Sequence, residues 1–230
     1  YVHLNKYFIN WENNMTKYIS VLQLKGGVGK STLSAFMAGY LLSKGHSVLT
    51  VDADMQQATL TSWTTLFANH KHAKNHQHAT AHDLEELLSI LQLAWEQAKF
   101  DYVIIDAPPR IAEVMRALVF ASDIVLMPLA ISSPDIWAME DTVKIIKKAM
   151  EEKPDLNVKL VFNRMKDTSS YFKIRNAVIE DFELPYVQQI LSEFESYKTI
   201  FGKGTHPLDY HLKKPKEQFN AFAKEVMQSL

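Results

Sequence analysis

Short apolar runs rich in β-formers alternate along this chain with longer stretches whose apolar residues recur at helical spacing. The runs Tyr18–Leu24, His46–Val51, Phe100–Ile105, Asp123–Leu129, Asn157–Phe162 and Tyr186–Ile190 predict strands. Between them lie predicted helices. One covers Leu33–Leu42, and a short one covers Ala58–Phe67 with Leu60, Trp63, Leu66 and Phe67 on one side. An amphipathic helix runs from an Asp83 N-cap to Lys99, with Leu84, Leu87, Leu88, Leu91 and Trp95 at helical spacing. Glu113–Phe120 is helical, and a long helix begins at Ser133-Pro134-Asp135 with proline in its first turn. Tyr171–Phe182, Ser192–Phe201 and Glu217–Leu230 complete the set, the last with Phe219, Phe222 and Val226 on one face. Alternation of this kind predicts an α/β fold: three layers, a mostly parallel sheet with helices on both faces.

One segment breaks the alternation. Asn69–His82 holds five of the nine histidines and almost no large apolar residue, and it reads as a polar surface connection. A metal site is the competing reading, since imidazoles at these spacings can converge, but no carboxylate or cysteine lies among them.

Composition narrows the classes. With 230 residues, 47% hydrophobic and 22% charged, the chain has material for one sizeable core. It has no cysteine, which removes disulfides and thiolate metal sites. The net charge of −1 confines any nucleic-acid contact to a local patch. No apolar run approaches the ~18 residues of a membrane-spanning helix, and no secretory leader is visible, so the cytoplasm is the expected compartment. Residues 15–230 read as one domain. Met15 reads as a native start, which leaves residues 1–14 as a cloning remnant or upstream extension, or as an N-terminal arm packing through Tyr7, Phe8, Ile9 and Trp11.

The chemistry concentrates between the first strand and the first helix, at Lys25-Gly26-Gly27-Val28-Gly29-Lys30-Ser31-Thr32. A strand, a glycine-rich turn and a helix form the context of a phosphate-binding loop. The glycines turn the backbone and aim its N–H groups inward, and the helix start adds its positive dipole end. Lys30 can reach the β- and γ-phosphates, and the Ser31 hydroxyl can ligate Mg2+. Carboxylates stand at two further strand ends, in Asp52-Ala53-Asp54-Met55-Gln56 and in Asp106-Ala107-Pro108-Pro109. Ligands bind at such ends in open α/β sheets. Taken singly, each of these features has a plain alternative, a surface turn or solvated loop carboxylates.

The generic loop wants glycine at position 24, where this chain has Leu24, and it has an additional lysine at Lys25. The pattern resembles the deviant phosphate loop (deviant Walker A) of the ParA/MinD family, and the chain's size is similar to that of small, ParF-like plasmid ParA proteins. The resemblance implies a weak, partner-stimulated ATPase that uses ATP and Mg2+. It implies that Lys25 reaches across an ATP-sandwich homodimer, that Asp52 and Asp106 join Ser31 around the Mg2+, and that Asp54 positions the attacking water. Asn163-Arg164, after the fifth predicted strand, matches a pair in which the asparagine reads the adenine edge. Iron–sulfur relatives are excluded by the missing cysteines. The resemblance further implies ATP-dependent binding of nonspecific DNA on the nucleoid, through Lys198, Lys203, Lys213, Lys214 and Lys216, and an adaptor bound to a centromere or other cargo that stimulates hydrolysis. The implied function is partition of plasmid or chromosomal DNA. The alternatives are positioning of a carboxysome, chemoreceptor cluster or division site, or an ATP-dependent ligase of the dethiobiotin-synthetase type, which does not need Lys25. The final helix has only Lys224 as a base beyond its start, so no membrane partner is expected.

Overall fold

A computed structural model describes residues 15–54 and 56–230. The expectations for residues 1–14 lie outside the described residues, as does Met55. In chain order the elements are β1 (Lys17–Val21), α1 (Lys30–Ser43), β2 (Val48–Asp52), α2 (Thr59–Phe67), β3 (His76–Thr80), α3 (Leu84–Gln97) and β4 (Tyr102–Asp106). Then follow α4 (Ala112–Ala121), β5 (Ile124–Ala130), α5 (Ser133–Glu152), β6 (Val158–Asn163), α6 (Ser169–Phe182), α7 (Glu195–Gly202) and α8 (Lys213–Met227).

The six strands form one sheet in the order β3-β2-β4-β1-β5-β6, every pair parallel. Both faces are covered, as a parallel sheet requires. The two-residue period of a strand divides the core between them. Tyr18 and Leu22 of the first strand region pack with Leu87 and Leu91 of α3, Leu118 of α4 and Ile146 of α5. Ile19 and Val21 face the other way, toward Phe36 and Met37 of α1, Trp63 of α2 and Phe219 and Phe222 of α8. Asp83 caps α3 as expected, its carboxylate accepting from the Glu86 N–H at 2.8 Å.

Two predicted elements change places. Tyr186–Ile190 does not add a strand; it touches the sheet edge through the single bridge Leu160–Tyr186. The sixth strand comes instead from the histidine-rich segment, whose residues 76–80 pair with the whole of β2. Its apolar content is too low to announce a strand, but polar bonds replace apolar packing. Thr50 of β2 shares hydrogen bonds with His76 Nε2 and His78 Nδ1, both at 2.9 Å. Leu66, expected on the buried side of α2, is 50% exposed, and Thr64 is buried in that face instead.

Candidate functional site

Register brings three loops to one edge of the sheet. Val21 of β1 and Asp52 of β2 both lie opposite Asp106 of β4, so the three strands end level. The chain leaving β1 must turn sharply to enter α1. Gly29 supplies the turn with φ +97° and caps the helix, and the Leu33 N–H closes the first helical bond to its carbonyl at 3.0 Å. A side chain there is excluded twice, by backbone conformation and by contact: a Cβ would lie 2.5 Å from Asn163 Nδ2. The first-turn N–H groups of α1, including those of Lys30, Ser31 and Thr32, have no partner within the helix and offer an anion the positive end of its dipole.

Lys30 is only 6% exposed, and its ammonium donates to the Lys25 carbonyl at 3.3 Å. Burial lowers its pKa, while the nearby Asp106 and Asp54 carboxylates hold it up. Asp106 is fully buried, and burial pushes its pKa up to about 7 against the Ser31 and Ser34 hydroxyls and Lys30; the Asp52 charge adds to the rise. Ser34 Oγ lies 3.3 Å from Asp106 Oδ1, while Oδ2 has no hydrogen-bond partner among the described residues. A buried carboxylate oxygen without a donor is costly unless something else satisfies it. Beside a hydroxyl at a helix N-terminus, it has the chemistry of a hard-cation ligand, and these residues fit a hydrated Mg2+.

Asp54 is also buried, and burial raises its pKa against Lys30 and the Gln57 amide. Asp52 is bound differently. Its Oδ1 accepts the Asp54 N–H at 3.0 Å, and its Oδ2 accepts both the N–H and the hydroxyl of Thr61 at 2.8 Å. It thereby ties the Asp54 loop to the first turn of α2. Backbone strain gathers here too: of the five non-glycine residues with positive φ among the described residues, Ala58, Arg110 and Arg164 follow the ends of β2, β4 and β6.

The structure brings Lys25 to Asp135, in the first turn of α5, where the two side chains form an ion pair. Asn163 reaches back from β6 and donates its amide to the Val28 carbonyl at 2.8 Å, and its own carbonyl takes the Arg164 N–H at 3.0 Å. Arg164 is exposed. The five lysines named for DNA lie apart from this edge, on α7, α8 and the turn between them. Lys198 pairs with Glu195, Lys213 lies 3.8 Å from Glu217, and Lys203 sits over the Tyr210 ring. Lys214 and Lys216 are exposed with no ion-pair partner among the described residues.

Sequence reasoning passed over Asp135, Thr61 and Ser34. Ser34 was findable, since it lies four residues beyond Lys30 on the same face of α1. Asp135 reads as an ordinary first-turn acid and Thr61 as a helix surface residue; only tertiary packing links them to the loop.

A family model described as the CobQ/CobB/MinD/ParA nucleotide binding domain matches residues 19–208. The maintenance of carboxysome distribution protein A of Halothiobacillus neapolitanus is 27% identical over 220 residues, which covers 94% of this chain and 99% of that relative. The MinD cell division protein of Aquifex aeolicus has the same fold, with a TM-score of 0.74 at 20% identity over 92% of this chain and 97% of that one. A plasmid partition protein of Borrelia burgdorferi, solved with AMPPNP, matches with a TM-score of 0.66 at 19% identity over 94% of this chain and 100% of that one. Among the described residues no helix is long and apolar enough to cross a membrane.

Proposed function

The chain belongs to the CobQ/CobB/MinD/ParA family of nucleotide-binding domains, the P-loop ATPases of the ParA/MinD type, and on that premise we propose that it is a slow, ATP-dependent dimerisation switch that binds nonspecific DNA and drives DNA partition. The observation that supports this most is the buried, donorless Oδ2 of Asp106 beside Lys30 and Ser31. That oxygen has no donor among the described residues, and a cation with its phosphate would complete the arrangement.

When bound, Mg·ATP supplies the transferable phosphoryl group and a cation that neutralises its charge. Gly26 to Thr32 hold the phosphates with backbone N–H groups, and the Lys30 ammonium offsets their charge. Ser31 and Asp106 hold the Mg2+ shell, and Asp52 supports it from behind by fixing the loop. Asp54 orients water through its carboxylate. Its raised pKa makes it a better proton acceptor than an exposed aspartate. Asn163 has one amide hydrogen and one carbonyl lone pair left after its contacts to Val28 and Arg164. A donor and an acceptor on one amide complement an adenine edge.

Lys25 leaves Asp135 and reaches the nucleotide of a second copy, so that ATP bridges two chains and hydrolysis parts them. The exposed Trp137 and Ile111, at the starts of α5 and α4 on the same edge of the sheet, supply apolar surface for that contact. Lys214 and Lys216 lead the DNA contact, and an adaptor on the centromere accelerates hydrolysis. A second reading rests on the carboxysome-distribution relative, which matches nearly end to end: the same switch carrying a different cargo. ATP turnover and DNA retention, measured with and without nucleotide, test the proposal. Turnover that stays absent with DNA and adaptor present, or retention that ignores ATP, would defeat it.

A further inference from the structure

The histidine-rich segment does more than build β3. After α2, His70 and His72 come to a 3-10 turn at Pro207–Asp209, between α7 and α8, where His206 and Asp209 sit on one side. The four residues come from parts of the chain more than 130 residues apart. Three imidazole nitrogens surround one carboxylate oxygen: Asp209 Oδ2 lies 3.5 Å from His70 Nε2, 3.1 Å from His72 Nε2 and 3.4 Å from His206 Nε2. These separations are mostly too long for good hydrogen bonds. They are close to the spacing of ligands around one ion, which stand ~3.4 Å apart when each lies ~2.05 Å from it, and His70, His206 and Asp209 each offer a ligand atom within 4.8 Å of the other two. The rings agree, with centroids 5.4, 5.5 and 6.1 Å apart. Three imidazoles bound to one tetrahedral ion would be spaced at about 5 Å.

His206 strengthens the point. Its side chain has no exposure, and neither ring nitrogen has a hydrogen-bond partner among the described residues. It is held where α1 makes room: a Cβ on Gly39 would lie 2.6 Å from the His206 Cβ. A histidine so deeply buried with both nitrogens idle has nothing to gain there unless a ligand takes one of them. We propose that His70, His206 and Asp209 form a zinc-type site for a divalent transition-metal ion, distinct from the Mg2+–nucleotide site, and that His72, 3.1 Å from the same carboxylate oxygen, turns in as the fourth ligand.

The surroundings suit it. Burial lowers the pKa of His70 and of His206, which favours the uncharged rings. The other oxygen of Asp209 accepts from the Lys71 ammonium at 3.1 Å, which orients the carboxylate as outer partners of metal ligands do. A His70 that gives its Nε2 lone pair to the ion carries its proton on Nδ1, so the 3.4 Å contact from the His72 N–H to that nitrogen opens on binding. The 3.2 Å contact of Nε2 with the Thr205 hydroxyl gives way as well. A ligand set of imidazole nitrogens and one carboxylate oxygen favours Zn2+ or Co2+ over Mg2+, which prefers six oxygens. The bound ion would staple the α2–β3 connection to the α7–α8 turn behind α1.

The test uses the tag-free full chain, stripped with a chelator and titrated with Co2+ in excess Mg2+ and without nucleotide, so that its outcome is independent of ATPase activity. One equivalent with the visible bands of four-coordinate cobalt, displaced by Zn2+, and a rise in melting temperature are expected. Asp209→Asn and His72→Ala should each weaken Co2+ binding by more than about tenfold. Exposed His82→Ala should leave it unchanged. Absence of stoichiometric binding by the parent chain, or equal binding by the Asp209→Asn and His72→Ala variants, would overturn the assignment.

Discussion

Lys25 and Asp135 form an ion pair that ties the phosphate loop to the first turn of α5. The proposed dimer needs this lysine elsewhere, so the pair acts as a latch on the monomer. A partly exposed pair of this kind contributes up to about 1 kcal/mol. Asp135→Asn should therefore strengthen ATP-dependent dimerisation by up to about fivefold, read by sedimentation with a nonhydrolysable analogue. Lys25→Ala should abolish the dimer while leaving nucleotide binding in place.

Asp52 and Asp54 are close in sequence but should behave differently. Asp52→Ala removes the acceptor for three donors in a fully buried position and should cost about 2–4 kcal/mol of stability. Asp54→Ala should leave urea unfolding nearly unchanged and trap bound ATP. Equal stability of the two variants would argue against the loop-holding role of Asp52.

Asp106 sets a pH dependence. Its folded pKa of about 7 lies above the ordinary value of 3.8, so the folded state binds the extra proton. Its contribution is therefore fully present below about pH 4 and is lost as pH rises through about 7. Asp54, raised in the same direction, adds to the slope. In nucleotide-free protein, unfolding midpoints should fall across this window, and Asp106→Asn should flatten the curve.

Asn163→Ala removes both the clamp on Val28 and the amide offered to the base. Nucleotide affinity should drop about fivefold or more, and ATP should lose more than GTP. Titration calorimetry with both nucleotides measures the ratio. An unchanged ratio would leave Asn163 with the clamp alone.

Of the five lysines named for DNA, Lys214 and Lys216 are exposed with neither a carboxylate nor an aromatic partner among the described residues, so they should dominate DNA retention. Each phosphate contact contributes roughly 0.9 to the slope of log affinity against log salt. Lys214→Glu with Lys216→Glu should reduce that slope by about two. Lys198→Glu, already paired with Glu195, should matter less.

The sequence by itself determined the α/β class, five of the six strands and the phosphate loop, because these depend on local periods and on a contiguous run, Lys25–Thr32. The aspartates at 52, 54 and 106 were legible for the same reason: a strand that ends in a carboxylate places it at the ligand edge. Tertiary structure alone decided the sixth strand. His76 and His78 hold it through hydrogen bonds to Thr50, and such bonds leave no hydrophobic period to read. It also decided the partners of the site residues. Asp135 lies 110 positions from Lys25, and Asn163 lies 135 from Val28. Likewise His206 and Asp209 meet His70 and His72 only because α1 carries a glycine where the buried ring must pass. Contacts across such separations follow from how helices and strands stack, which no local pattern encodes.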